Sequence, residues 1–123
     1  MNDIEQVVQA LFAGIEAGDI AAVQRCYAKD VVVWHNNDGL EQGRDANLAT
    51  LRWCVEHIAG MRYEDVRRYP IEGGLVQQHV LRGTAPSGAD LEVPACMVVQ
   101  VRDGLITRID EYLDSAQVAV LLP

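Results

Sequence analysis

The chain has 123 residues, half of them hydrophobic, and a formal net charge of -8. That is the length of one domain, with enough apolar residues to bury a core without disulfide or metal staples and too few polar ones for disorder. The acidic balance repels phosphate backbones and argues against nucleic acid as a partner, while the longest apolar run is far short of a membrane span and no basic, apolar leader of signal-peptide type is present.

Ile4, Val8, Leu11 and Ile15 recur at helical spacing, with Val7 and Phe12 widening the stripe, so the chain opens on an amphipathic helix. Asn2 or Asp3 can cap its start and Gly18 its end. Asp19 is placed to cap a second short helix whose Val23, Cys26 and Tyr27 face inward and which ends near Asp30. The β-branched and aromatic run Val31–His35 predicts a strand, broken by Asn36-Asn37-Asp38-Gly39. Asp45 is the expected cap of a third helix, with Leu48, Leu51, Val55 and Ile58 on one stripe and Gly60 as its stop.

From Arg62 onward the pattern is strand: 62–71, 75–84, 91–101 and 105–113. The links are Gly73-Gly74, Pro86-Ser87-Gly88 and Asp103-Gly104, which are hairpin signals. The apolar tail 118–122 must cover something or pack on a partner. A four-strand meander curls, and three helices can fill its concave side, leaving an open mouth as the default pocket. Cys26, Cys54 and Cys96 are odd in number, widely spaced and without a C-x-x-C or His/Cys cluster. They read as reduced buried thiols of a cytoplasmic protein.

This order, with particular stretches, resembles the nuclear-transport-factor-2-like superfamily and its SnoaL-like polyketide-cyclase and ketosteroid-isomerase-like group. The stretches are Glu16-Ala17-Gly18-Asp19, Tyr27-Ala28-Lys29-Asp30, Gly43-Arg44-Asp45, Arg82-Gly83-Thr84 with Pro86-Ser87-Gly88, 101–106 (VRDGLI) and Glu111-Tyr112-Leu113-Asp114. The resemblance implies one SnoaL-like domain over residues 1–123, an α+β fold in which a cone-shaped, curved antiparallel sheet wraps three N-terminal helices. That fold hosts isomerases, cyclases, dehydratases, epoxide hydrolases and plain binding proteins.

Counting from Asp30, the general-base Asp of ketosteroid isomerase falls on His35. Its oxyanion-hole Tyr falls on Leu11 and its oxyanion-hole Asp at about Met97. The isomerase's oxyanion hole is therefore absent. The Asp–Arg–Asp triad of limonene-epoxide hydrolases falls on Val80, Arg82 and Glu111, so an Arg and one carboxylate remain, in scrambled order.

On the last strand, alternation puts Ile109, Glu111 and Leu113 on the apolar, inward face, where a desolvated carboxylate suits acid/base chemistry. His35, at the mouth end of its strand, is the natural proton shuttle near neutral pH, or else a turn residue bonded to Asn36, Asn37 or Asp38. For 75–84 both faces are mixed. Parity taken from the resemblance turns Gln78, Val80 and Arg82 inward, with Arg82 pairing Glu111; the opposite parity turns His79 and Leu81 inward. The first is preferred because a partner for Arg82 is at hand.

The expected catalytic set is His35, Glu111 and Arg82. Trp53 would overhang the mouth, and the apolar walls would come from Leu11, Phe12, Ile15, Val33, Leu51, Val55, Ile58, Val80, Val93, Ala95, Met97, Ile109 and Leu113. No phosphate loop, Ser/His/Asp order or metal-ligand cluster stands out, so no cofactor is expected. The expected ligand is a hydrophobic, cyclic small molecule, turned over by acid/base chemistry or merely held. The expected partner is a second copy joined through the convex sheet face, with Gln77, His79, Leu81, Val98 and Gln100 in the interface.

Overall fold

A computed structural model describes residues 2–121. Helix α1 spans Asp3–Ala17. The Asn2 side chain accepts from the Glu5 amide at its start, and Gly18 closes it in the left-handed region, with φ of 71°. Helix α2, Ile20–Cys26, is capped by Asp19. It stops earlier than the sequence suggests, because Tyr27 already belongs to strand β1, Tyr27–His35. After a turn come the two-residue strand β2, Glu41–Gln42, which the sequence did not announce, and helix α3, Arg44–His57. Gly43 rather than Asp45 is the N-cap of α3, and no side chain caps it.

Four long strands follow: β3 Ala59–Ile71, β4 Gly74–Thr84, β5 Asp90–Arg102 and β6 Leu105–Leu113. A short helix α4, Ser115–Val118, capped by Asp114, and a 3₁₀ turn Ala119–Leu121 end the described chain. Leu122, the last residue of the apolar tail, lies outside the described residues.

The six strands form one curved, unclosed sheet in the order β2-β1-β6-β5-β4-β3. The meander of β3 to β6 is antiparallel, but β1 runs parallel to β6, with His35 opposite Glu111. Asp103 (φ 53°) and Gly104 (φ 77°) make the β5–β6 turn with both central residues left-handed, the hairpin type that follows the natural twist. A bulge in β3 between Glu64 and Arg67, with Asp65 at φ 56°, switches the strand's facing. Tyr63 and Arg68 both meet inward residues of β4, Leu81 and Gln77.

The helices lie on the concave face. Val8, Leu11, Phe12 and Ile15 of α1 pack with Val23, Val31, Val33, Leu75, Met97, Val99, Ile106 and Ile109. A smaller cluster of Ile58, Leu91 and Val93 is covered by Val118, Val120 and Leu121, so the tail covers this chain's own core. The cysteines are unpaired, Cys26 buried and Cys54 and Cys96 half-buried. Among the described residues no helix is long and apolar enough to cross a membrane.

Candidate functional site

The parallel pairing of β1 with β6 sets His35 beside Glu111, because directly opposed residues in register point to the same face. His35 Nε2 lies 2.9 Å from Glu111 Oε1. A carboxylate can only accept, so Nε2 carries a proton, and in the neutral ring Nδ1, which has no partner among the described residues, keeps the lone pair. Burial works against charge on His35, but the hydrogen bond it donates to Glu111, the negative charge of Glu111 and that of Asp38 outweigh it and raise the ring above its ordinary value.

The pair opens on a cavity of about 400 Å³ between α3 and the sheet. Leu51, Trp53 and Cys54 of α3 form one side, and Met61, Tyr63, Leu81, Val93, Ala95 and Leu113 form the sheet side. Val118 and Leu121 cap it, and Asn37 and Asp38 stand with His35. Gln42, Asn47 and Thr50 form a polar wall with a fixed direction. Tyr27 OH donates to Asn47 Oδ1 at 2.7 Å, Asn47 Nδ2 to Gln42 Oε1 at 3.1 Å, and Gln42 Nε2 to Thr50 Oγ1 at 2.9 Å. Among the described residues the charged lining is Asp38, Glu111 and His35, with no lysine or arginine. Burial and then Glu111 push the Cys54 thiol up, so it is protonated and apolar in character at neutral pH.

Beneath Glu111 lies His79, 3% exposed, its ring against Phe12 and Tyr63. Its Nε2 is 4.0 Å from Glu111 Oε2, beyond hydrogen-bond reach, and is buried without a partner. Burial lowers its proton affinity, and the charge of Arg68 adds to this against the opposing pull of Glu111. Tyr63, half-buried on the cavity wall, is pushed well above the ordinary tyrosine range by burial and then by Glu111, and so stays a neutral phenol.

The β4 parity expected from the sequence is reversed. Leu75, Gln77, His79 and Leu81 point inward, while Val80 and Arg82 lie on the outer face. Arg82 pairs there with Glu64 at 3.3 Å, Glu92 at 3.3 Å and Asp65 at 3.7 Å, not with Glu111. Three acidic neighbours on β3 and β5 hold it outside, where its charge stays hydrated. Of the expected interface residues, Gln77, His79 and Leu81 therefore cannot serve on the convex face, whereas Val98, opposite Val76 and Asp110, and Gln100, opposite Arg108, do lie on the outer face.

Of the expected walls, Leu51, Trp53, Val93, Ala95 and Leu113 line the cavity. Leu11, Phe12, Ile15, Val33, Met97 and Ile109 are core beneath it, because α1 fills the narrow end of the cone. Val55 and Ile58 face a separate groove beside Gly18 and Gly60. Sequence reading missed Gln42, Asn47, Thr50, Tyr63 and Gln77. The amides and Thr50 carry no motif, and their roles arise only when α3 meets the edge of the sheet.

A larger groove of about 770 Å³ lies on the outer face beside Val66, Gln78, Val80, Cys96 and Tyr112, away from the His35–Glu111 pair. Among the described residues no cluster of His, Cys, Asp or Glu is arranged to hold a metal ion.

Comparison with curated protein sequences finds no relative. Solved structures are similar over nearly the whole chain. An NTF2-like protein of unknown function from Burkholderia pseudomallei superposes with a TM-score of 0.86 at 22% identity, over 99% of this chain and 98% of that one. A Xanthomonas campestris protein, provisionally named a polyketide cyclase, gives 0.84 at 22% identity, over 98% and 97%. A Catenulispora acidiphila protein with a ketosteroid isomerase-like fold, in complex with trimethylamine, gives 0.76 at 18% identity, over 86% and 83%. At such identities the likeness is one of fold, and it agrees with helices seated in a curved, open sheet. The sequence itself matches the SnoaL-like domain model over residues 8–109, a span running from the core face of α1 to the strand that carries Glu111, and the chain belongs to the SnoaL-like domain family.

Proposed function

We propose that this protein is an enzyme that moves a proton on an uncharged, largely apolar small molecule, with His35 as the transferring group and Glu111 as its orienting carboxylate. The observation that carries this reading is the 2.9 Å His35–Glu111 pair opening into a mostly apolar cavity of about 400 Å³. Glu111 fixes the ring with Nε2–H toward itself and stabilises the imidazolium. Nδ1 is thereby free to take a proton from the ligand and return it at a second position. Isomerisation, dehydration, aldol-type cyclisation and epoxide opening all need this step. Two carboxylates and no Lys or Arg in the lining disfavour anionic substrates, because an anion would enter a low-dielectric space with no fixed cation to meet it. The directed amides of Gln42 and Asn47 suit a carbonyl or hydroxyl on such a molecule.

The test is solvent-deuterium incorporation into a panel of neutral cyclic ketones and enols, followed by NMR. His35→Ala should slow exchange by about 10²–10⁴-fold with ligand binding retained. An unchanged rate would remove His35 from the chemistry. Binding without exchange in the parent protein would favour a second reading, a carrier of the same ligands, which the tail cap of Val118 and Leu121 supports by closing over the cavity. We place a second subunit on the outer sheet face, where Val66 and Tyr112 are exposed beside the groove. A monomer in sedimentation would overturn that placement.

A further inference from the structure

Behind the proposed dyad, half-buried Arg68 and buried Gln77 and His79 have their hydrogen-bond directions set by elimination. Arg68 Nε can only donate, and it lies 2.8 Å from Gln77 Oε1. The Gln77 amide is thereby oriented, its Nε2 facing His79 Nδ1 at 2.9 Å. An amide nitrogen can only donate, so Nδ1 must hold a lone pair. The ring proton of neutral His79 is then on Nε2, directed toward Glu111 Oε2. Protonating His79 would set an N–H against the Gln77 amide N–H. Turning the amide over would set its N–H against Arg68, so neither alternative keeps all the contacts of this relay.

Gln77 is fully buried, and the His79 side chain is 1% exposed, so water cannot substitute. Among the described residues the ionisable groups around the ring are Glu111 from β6 and Tyr63 and Arg68 from β3, and Phe12 of α1 packs on it.

We propose that His79 is a positioning residue: a permanently neutral ring, its proton fixed on Nε2 by the Arg68–Gln77 relay, that aims this N–H at the Glu111 carboxylate from behind while His35 exchanges protons in front. Glu111 is thus set between two histidines of opposite character. One is coupled to the cavity and titrates; the other is sealed and does not. A gap of 4.0 Å separates His79 Nε2 from Glu111 Oε2. The role given to Glu111 rests on the proposed proton transfer, whereas the state of His79 does not.

The experiment is a pH titration of imidazole nitrogen chemical shifts in isotope-labelled protein. His79 should show the neutral Nε2–H signature throughout the range in which an ordinary histidine titrates. A His79 that titrates there, or that carries its proton on Nδ1, overturns the relay. In Gln77→Glu the new carboxylate accepts from both Arg68 and Nδ1–H, so the share of rings in the neutral Nε2–H form should fall from nearly all to a minority; an unchanged signature overturns the relay too.

Positioning is read at His35. His79→Leu removes an N–H dipole directed at the Glu111 charge from 4.0 Å and should raise the proton affinity of His35 by about threefold, less than a formed hydrogen bond to a charged group would give. His79→Gln, which keeps an N–H near that point, should restore it. A His35 titration indifferent to His79 would leave His79 as packing alone and overturn the positioning role. If all three results hold while no ligand exchanges protons, the enzyme reading fails and the relay stands.

Discussion

Replacing Glu111 by Gln keeps the size of the side chain and its capacity to bond a neutral imidazole, and removes only the charge. The stability change it causes therefore isolates the ionic part of the His35–Glu111 contact. At 2.9 Å and an effective dielectric of about 20, unit charges attract by about 6 kcal/mol. The side chains are 20% and 14% exposed, so both give up most of their water to reach this position, and the desolvation offsets much of that attraction. A net contribution of about 1.5–3 kcal/mol remains, the range of hydrogen bonds to charged groups.

The sign with pH follows from the raised proton affinity of folded His35. The folded state binds the proton more tightly than the unfolded chain does. The stabilisation is then fully present below the unfolded value of 6.5 and is lost as pH rises through the higher folded value. Urea denaturation of Glu111→Gln and the parent should differ by about 1.5–3 kcal/mol at about pH 6 and by under about 1 kcal/mol at about pH 9. A difference that is constant, or that grows with pH, would mean that His35 is not charged in the pair.

His79 gives the opposite slope. Its folded proton affinity is lowered, so stability falls as pH drops below 6.5, and His79→Leu should flatten that part of the curve in the same denaturation series. Arg82→Ala should cost at most about 1 kcal/mol and leave the His35 titration unmoved, since its partners Glu64, Asp65 and Glu92 are all on the outer face. A moved titration would return Arg82 to the site. Gly83→Ala would put a methyl group 2.7 Å from Ile58 Cγ2 and 3.0 Å from the Ala59 carbonyl oxygen. It should destabilise by about 1–3 kcal/mol by overpacking, and an unchanged denaturation midpoint would show that the β3–β4 contact is looser than these distances require.

Strands and helices were legible wherever periodicity was strong. The stripe Val8, Leu11, Phe12, Ile15 and the alternation Ile109, Glu111, Leu113 both point where their pattern says. What failed was parity on β4, and it failed because each face of 75–84 mixes polar with apolar residues. The needed signal was one strand away. Val93 and Ala95 were already read as inward, and the link 85–89 pairs Thr84 with Asp90, which forces odd residues of β4 opposite odd residues of β5. Leu81 then faces Val93, and His79 faces Ala95, on the inner side. Register across the hairpin, not the availability of a partner for Arg82, decides which face of β4 is inner. The polar wall of Gln42, Asn47 and Thr50 had no comparable signal, since it depends on where α3 meets β1, a contact between segments joined by an irregular turn.

The parallel pairing of β1 with β6 was also silent in the sequence, yet the dyad depends on it, and Asn36 is the residue that tests this dependence. Its backbone N–H donates to the Glu111 carbonyl at 3.1 Å. Its side chain accepts from the Leu113 amide at 2.8 Å and donates to the Leu113 carbonyl at 3.2 Å. The carboxamide thus imitates one more residue of the parallel ladder just where β1 turns away, and it locks the register that sets His35 opposite Glu111. Asn36→Ala removes both side-chain bonds. At about 0.5–1.5 kcal/mol each, and toward the lower figure because the site is exposed, the loss is about 1–2 kcal/mol. Because the strand ends are then free to separate, the His35 titration should fall back toward its ordinary value as Glu111 draws away. Asn36→Asp keeps the acceptor for the Leu113 amide but sets a carboxylate against the Leu113 carbonyl, so it should do no better than Ala. Asn36→Ala with the parent's urea midpoint and the parent's His35 titration would mean that backbone pairing alone fixes the dyad and that the Asn36 clamp is incidental.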